Sequence, residues 1–340
     1  LYINFPLCSC KFKSIKMFFV AFLTLCFSKP LVLQSQERSF LNWMRTNNKF
    51  YAGDEYHFRL GIFLSHSHYC QNFNRRNDIT FRVSTNKFSC YTPSEYKSIL
   101  GVRGFRKIIS PKTNKNEPKI VAPDSYDWRN KGLVNPIKDQ ASCGSCWAFS
   151  AVAACESAYA FTTGNLLQFS EQNFVDCANC YGCSGGWADS ACYYAISDQN
   201  GQFNSESDYP YTAVDGTCSY DSSKAIGKIT KLISVEWRDE NDLKEKIAQY
   251  GVASVSISAG NTPFMSYSSG ILDDEECQPL SDVDHAVAAV GYGSENGIDY
   301  WIVRNSWGTS WGEEGYVRMI RNKDNQCQIA SQAFVIVDSE

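Results

Sequence analysis

Fifteen cysteines occupy this chain of 340 residues, and ten of them lie between residues 143 and 327. That density is too high for a typical reduced cytosolic enzyme and points to an oxidising compartment. The sharpest spacing is in "QASCGSCWAFS", where Cys143 and Cys146 stand three apart just before an apolar, helix-like run. Three chemistries can use such a pair: a redox dithiol, half of a metal site, or one disulfide partner beside one nucleophile. A thioredoxin-like dithiol wants a compact βαβ unit and leaves the other eight cysteines unexplained. The metal reading draws on "CANCYGC", where Cys177, Cys180 and Cys183 have C-x-x-C-x-x-C spacing, but zinc or iron–sulfur ligation suits an exported, cysteine-laden chain poorly. A nucleophile needs a basic partner to form and keep its thiolate. After residue 121 the chain has a single histidine, so that reading forces Cys146 and His285 together.

Export has its own signal. Met17 is followed by "FFVAFLTLCFS", an apolar run of signal-peptide length and too short to span a bilayer. Cys26 and Ser28 are small residues where cleavage could fall. The chain begins at Leu1, so Lys11, Lys13 and Lys16 either form a basic n-region or belong to untranslated sequence ahead of Met17. Residues 1–35 read as this leader, and no later run is apolar enough for a membrane helix. A composition 44% hydrophobic and 20% charged is that of a globular chain with core enough for two domains.

Charge divides the remainder. Residues 37–120 carry 15 Lys/Arg against 6 Asp/Glu, whereas residues 121–340 carry 13 against 30. Net charges of +9 and −17 suggest two parts of one chain that complement each other. The basic charges are scattered without aromatic interleaving, which argues against nucleic-acid binding. The boundary falls in "SPKTNKNEPKIVAPDS", polar and proline-punctuated as linkers are. It separates a segment 36–121 from a domain 122–340.

Four runs in order, "DQASCGSCWAFS", "CSGGW", "DHAVAAVGYG" and "YWIVRNSWGTSWGEEGY", together resemble the papain-like cysteine proteases, closest to the cathepsin L-like branch, in preproenzyme form. The resemblance extends from about residue 37 to the end. It implies an α+β, two-lobed fold, with a helical lobe carrying Cys146 and a β-barrel-like lobe carrying His285 and Asn305. "VASVSIS", "AVAAVGYG", "YWIVRNS" and "AFVIVD" support the strand-rich half independently.

What the resemblance implies about the site is specific. Cys146 is the nucleophile at a helix start, where the dipole favours thiolate. His285 is its imidazolium partner, lowering the thiol pKa to roughly 3–4, as in papain itself. Asn305 orients the imidazole, Trp307 covers that bond from water, and Gln140 supplies an oxyanion-hole donor beside the Cys146 N–H. Substrate would be bound by Gly185, Gly186, Trp187, Ala188, Ser256, Asp284, Ala286, Trp307 and Gln332, with Gln332 at the floor of a mostly apolar S2 pocket. The implied disulfides are Cys143–Cys183, Cys177–Cys218 and Cys277–Cys327. Cys155 and Cys192 are then expected as buried thiols and Cys180 as an exposed loop thiol. No metal or cofactor is implied. Expected partners are protein and peptide substrates, the chain's own propeptide and cystatin-like inhibitors. The enzyme is expected as a monomer without nucleic acid, in the secretory pathway and then in a lysosome-like compartment or outside the cell.

The basic segment resembles the family's inhibitory propeptide. Glu55, Arg59, Phe63 and Asn74 match its spaced helix motif, while His66 and Cys70 stand where Asn and an aliphatic residue are usual. Asn86 and Phe88 are kept further on, with Ser84 and Cys90 replacing Gly and Asp. His66 and His68 are expected to face solvent rather than a metal. Phe40, Trp43, Tyr56 and Phe63 are expected to supply apolar affinity for the enzyme, and acid to loosen the inhibitor before cleavage near Val121. With no insertion resembling a histidine-bearing occluding loop, the cleft is expected open at both ends.

Overall fold

The computed structural model describes residues 31–108, 120–277 and 282–337. The leader's proposed cleavage site therefore lies outside the described residues, as does most of the linker. Two compact units divide between Leu64 and Ser65.

The first unit holds helix α1 (Leu31–Thr46) and the opening of helix α2 (Gly53–Phe73). Asp54 and Glu55 stand in the first turn of α2, where carboxylates complement the helix dipole. Glu55 also pairs with Arg59 one turn on, at 2.6 Å. Phe40 is fully buried, its ring 5.5 Å from Phe63 and 5.3 Å from Tyr56, with Trp43 5.8 Å from Phe63. These four rings bury one another. They form a small aromatic core within this helix pair.

The second unit opens with the remainder of α2, strand β1 (Phe81–Val83) and helix α3 (Pro93–Ser98). Thr92 and Glu95 close a capping box on α3, with Pro at its start. After strand β2 (Tyr126–Asp127) comes helix α4 (Cys146–Thr163), Ala-rich and buried over most of its circumference, as a core helix must be. It ends at Gly164, whose φ of 74° gives the left-handed cap. Helices α5 (Glu171–Cys177) and α6 (Ala188–Asp198) pack around it. Trp147, Phe169, Phe174 and Phe203 fill the core of this helical part.

The strands follow: β3 (Lys231–Ser234), β4 (Ala253–Ile257), β5 (Tyr267–Leu272), β6 (His285–Glu295), β7 (Ile298–Arg304), β8 (Tyr316–Ile320) and β9 (Ala333–Val337). Helix α7 (Glu240–Tyr250) precedes β4 and the short α8 (Thr262–Ser266) precedes β5. The sheet order is β1-β5-β8-β7-β6-β4-β9-β3, with β2 beside β6. β5 and β8 run parallel, and the other neighbours are antiparallel. Leu243, Val255, Val287, Trp301 and Val317 lie in the core of this part. Two cores, one helical and one sheet-based, thus meet along α4 and β6.

β1 belongs to the basic segment yet adds an edge strand to the acidic part, pairing Phe81 with Gly270. Gly270 has φ 90°, and a Cβ there would sit 2.4 Å from the carbonyl oxygen of Thr80. Asn86 secures the same join, its side-chain N–H donating to the Met265 carbonyl at 2.7 Å.

Candidate active site

Antiparallel register brings two of the expected residues together. His285 is the first residue of β6, and Asn305 directly follows β7, its antiparallel neighbour. The His285 Nε2 and Asn305 Oδ1 are 2.9 Å apart. Because that oxygen can only accept, the bond places a proton on Nε2 and leaves Nδ1 as the basic nitrogen. Nδ1 has no hydrogen-bond partner among the described residues. Trp307 stacks on the imidazole, centroids 4.7 Å apart at 23°, and excludes water from the His–Asn bond. Phe88 and Tyr96 meet the same indole edge-on, at 4.9 and 5.9 Å.

Cys146 opens α4. Its Sγ receives the N–H of Gly101 at 3.1 Å and that of Ala286, the residue after the histidine, at 3.4 Å. Gln140 is completely buried, and its position is fixed twice over by Ser306. The Ser306 carbonyl accepts the Gln140 backbone N–H at 2.9 Å, and its hydroxyl donates to Gln140 Oε1 at 2.7 Å. The amide N–H₂ is thereby turned outward, donating to the carbonyls of Ile99 and Cys143 at 2.8 and 2.9 Å. Sequence reasoning missed Ser306. It lies inside "RNSWG", but nothing in that run says where its hydroxyl points.

The cleft is filled by residues 99–106 of the basic segment. Gly101 accepts from the Gly186 N–H at 2.7 Å, and Val102 donates to the Asp284 carbonyl at 3.0 Å. The Val102 side chain sits among Cys146, Val283, Ala286 and Trp187. A Cβ on Gly101 would lie 1.8 Å from the Gly144 carbonyl oxygen, so no other residue fits this crossing without movement. Further along, the Trp187 indole N–H donates to Gly104 at 3.2 Å, and Gln332 Oε1 accepts the Arg106 N–H at 3.0 Å.

The remaining substrate-binding candidates surround this path. Ala188 is buried at the start of α6, and Ser256 on β4 pairs with Ala286 across the sheet. The Ser256 N–H donates to the Gln332 carbonyl at 2.9 Å. Asp284 turns its carboxylate onto the Ala259 N–H at 2.7 Å, and burial raises its pKa to about 6. Gly185, at φ 114°, passes so close that a Cβ would be 2.7 Å from the Gly101 carbonyl oxygen. Direct ion pairs join the two charge-opposed parts: Lys87 with Asp139 at 2.7 Å and Arg106 with Asp189 at 2.6 Å.

Occlusion changes the electrostatics from the sequence expectation. Burial pushes the Cys146 thiol up to about 11, against the pull of the Ala286 and Gly101 N–H groups. Burial likewise lowers His285 to about 4, opposed by the bond to Asn305. With the cleft filled, the pair is a neutral thiol and a neutral imidazole. A low thiol pKa requires the solvated, uncovered site.

Disulfides join Cys143 to Cys183, Cys177 to Cys218 and Cys277 to Cys327. Cys155 and Cys192 are buried free thiols whose sulfurs touch at 3.7 Å between α4 and α6. Cys180 is half-buried against the Trp187 carbonyl rather than exposed, because the loop 177–183 folds back on the start of α6. His66 also departs from expectation. It is 7% exposed and shares a 2.7 Å hydrogen bond with the Ser266 hydroxyl, because this face of α2 packs on the turn between α8 and β5. His68 does face outward. Among the described residues no cluster of His, Cys, Asp or Glu could hold a metal ion.

Comparison with known proteins agrees with this geometry. Residues 122–337 match the papain family cysteine protease model, and residues 40–96 match the cathepsin propeptide inhibitor domain. The chain belongs to the papain family of cysteine proteases and carries that family's inhibitory propeptide, so it is a zymogen. It is 40% identical to digestive cysteine proteinase 1 of Homarus americanus over 84% of this chain and 89% of that one. It is 41% identical to a cathepsin L-like peptidase of Aedes aegypti, covering 81% and 85%. Among solved structures, digestive procathepsin L 3 of Tenebrio molitor larval midgut superposes with a TM-score of 0.80 at 33% identity, over 91% of this chain and all of that one. A recombinant stem bromelain precursor gives 0.81 at 33% identity, over 90% and 100%.

Proposed function

We propose that the mature enzyme is an endopeptidase with a preference for hydrophobic P2 residues, in which Cys146, His285, Asn305 and Gln140 perform the chemistry. The observation that carries this reading is the carbonyl of Ile99 held 2.8 Å from the Gln140 amide, beside a thiol. That is where the oxygen of a scissile carbonyl would develop charge. Once the cleft is open, His285 Nδ1 takes the thiol proton. The thiolate adds to the carbonyl carbon, and the oxyanion is held by Gln140 and the Cys146 N–H. Nδ1–H then protonates the leaving amine as the C–N bond breaks, and water, deprotonated by the same nitrogen, releases the acid from the thioester. Asn305 keeps the proton on Nε2 throughout.

Val102 among Val283, Ala286 and Trp187 supports an apolar S2 pocket, with Ala188, Ser256 and the Gln332 amide completing it. Gly185 and Gly186 offer backbone to the substrate, and Asp284 and Trp307 frame the histidine. The absence of an occluding insertion in the sequence supports internal cleavage. Maturation would fall near Val121, releasing the peptidase domain 122–340 as a monomer in the secretory pathway, for a lysosome-like compartment or secretion. Cystatin-like inhibitors, which fill clefts of this type, are its expected protein partners. Among the described residues no helix is long and apolar enough to cross a membrane.

Titration of the acid-matured enzyme with an epoxide thiol reagent tests the reading. One equivalent should abolish peptidase activity with a single modified residue, Cys146. Dominant release of dipeptides from the C-terminus of a protein substrate would overturn the endopeptidase assignment.

A further inference from the structure

One side chain of the propeptide binds the enzyme as a ligand would. The Arg106 guanidinium lies 4.6 Å over the ring of Trp187, and its Nη2 donates to Asp189 Oδ1 at 2.6 Å and to the Ser190 hydroxyl. Arg106 is 37% exposed at the side chain, whereas Asp189 is only 5% exposed. Among the described residues Arg106 is the cation paired with Asp189. Maturation near Val121 removes Arg106 with the rest of the propeptide. It leaves the Asp189 carboxylate and the Ser190 hydroxyl without that partner, beside a cavity of about 360 Å³ that in the proenzyme Arg106, Lys107, Tyr193 and Tyr194 also line. Asp189 stands in the first turn of α6, an eleven-residue helix, where the dipole complements a carboxylate.

We propose that Asp189, Ser190 and the Trp187 ring form a receptor for a basic side chain on the mature enzyme, which takes an arginine or lysine of the substrate upstream of P2. The inference rests on the peptidase reading and adds a substrate class to it. Its position follows from the path of the propeptide. Val102 occupies the apolar pocket next to Cys146, and Arg106 lies beyond the Trp187 wall of that pocket, on the side away from the Ile99 carbonyl. Arginine is favoured over lysine because its planar group can stack on the indole while donating to two oxygens. Ser190 adds a neutral acceptor, so the site discriminates by geometry as well as by charge.

The test uses the acid-matured enzyme and internally quenched peptides with Leu at P2, carrying Arg, Lys, Gln or Glu at P3 and, in a second set, at P4. At one of the two positions kcat/KM should be about tenfold higher for Arg than for Gln, and lower still for Glu. Asp189→Asn should collapse the Arg/Gln ratio towards one. Should that variant fail to mature, a synthetic peptide of residues 99–107 and its Arg106→Gln form decide the matter as inhibitors of the wild-type enzyme. The substitution should weaken inhibition about tenfold. Equal rates for Arg and Gln at both positions would overturn the inference while leaving the peptidase reading intact. An Arg106 effect on inhibition without any substrate preference would overturn it too, since the receptor would then serve only the propeptide. No cleavage of any peptide would sink the peptidase reading and this inference together.

Discussion

The backbone N–H of Gly101 points at the sulfur of Cys146 from 3.1 Å. The inhibitory segment therefore offers that sulfur a hydrogen-bond donor. The lack of room for a side chain at residue 101 makes the contact testable. Gly101→Ala brings a methyl group into the Gly144 carbonyl, and overpacking of this kind costs about 1–3 kcal/mol. Inhibition of the mature enzyme by isolated propeptide carrying this change should weaken by roughly 10- to 100-fold. Unaltered inhibition would mean that the segment can shift within the cleft at little cost.

Gln140 and Ser306 should act as a unit. Gln140→Ala removes an oxyanion donor and should lower kcat by roughly 100- to 1000-fold with little change in KM. Ser306→Ala leaves the amide in place but frees it to rotate, so a smaller loss, again in kcat, is expected. Steady-state kinetics on one peptide checks both. An effect confined to KM would show that the amide binds ground-state substrate.

His66 gives the propeptide a pH dependence of defined sign. Burial holds it at about 4 against 6.5 when free, so the packed state takes the neutral imidazole. Its contribution is complete above pH 6.5 and is lost as pH falls through 6.5 towards 4, by up to about 3 kcal/mol. Ser266 and Cys70 meet its Nε2, Tyr69 lies alongside, and Nδ1 has no partner among the described residues to stabilise a second proton. His66→Asn should therefore shift processing of the proenzyme to lower pH, measured as cleavage rate from pH 4 to 7. A profile identical to wild type would assign the acid response to other groups. Lys87–Asp139, an exposed pair, should add a salt-dependent share.

Gln332→Ala should sharpen the preference for Leu or Phe at P2, because the amide is the one strongly polar group expected at the pocket floor. A buried amide left unpaired costs about 1–3 kcal/mol. A P2-varied peptide library reads this directly, and an unchanged profile would place Gln332 outside the pocket.

Cys146, Gln140, His285 and Asn305 were legible because each sits in a short run whose local structure fixes it. One starts a helix, one starts a strand, one follows a strand, and one lies in the turn before the helix. The disulfides join the same six cysteines that the resemblance pairs. What escaped depends on partners far along the chain. His66 meets Ser266 across 200 positions, and Arg106 meets Asp189 across 83. No local pattern announces either contact. Phe40, Trp43, Tyr56 and Phe63 were expected to supply apolar affinity for the enzyme, and hydrophobicity alone did not reveal that the rings also pack on one another. The thiol pKa is likewise a property of the whole cleft: the high value belongs to the filled site, and the low one expected of the Cys146–His285 pair belongs to the uncovered site.

On the proposed mechanism the carbonyl of a substrate would compete with that of Ile99 for the same Gln140 amide, and this gives maturation a concentration law. While the chain is continuous, the inhibitor is tethered at an effective concentration of about millimolar, whatever the dilution of the protein. A single cut near Val121 turns it into a free ligand that competes at its actual concentration. Dilute, freshly cut enzyme should therefore shed its inhibitor, while concentrated enzyme keeps it bound until further cleavage destroys it. The first enzyme molecules to open would set the pace for the rest, giving an activation curve with a lag.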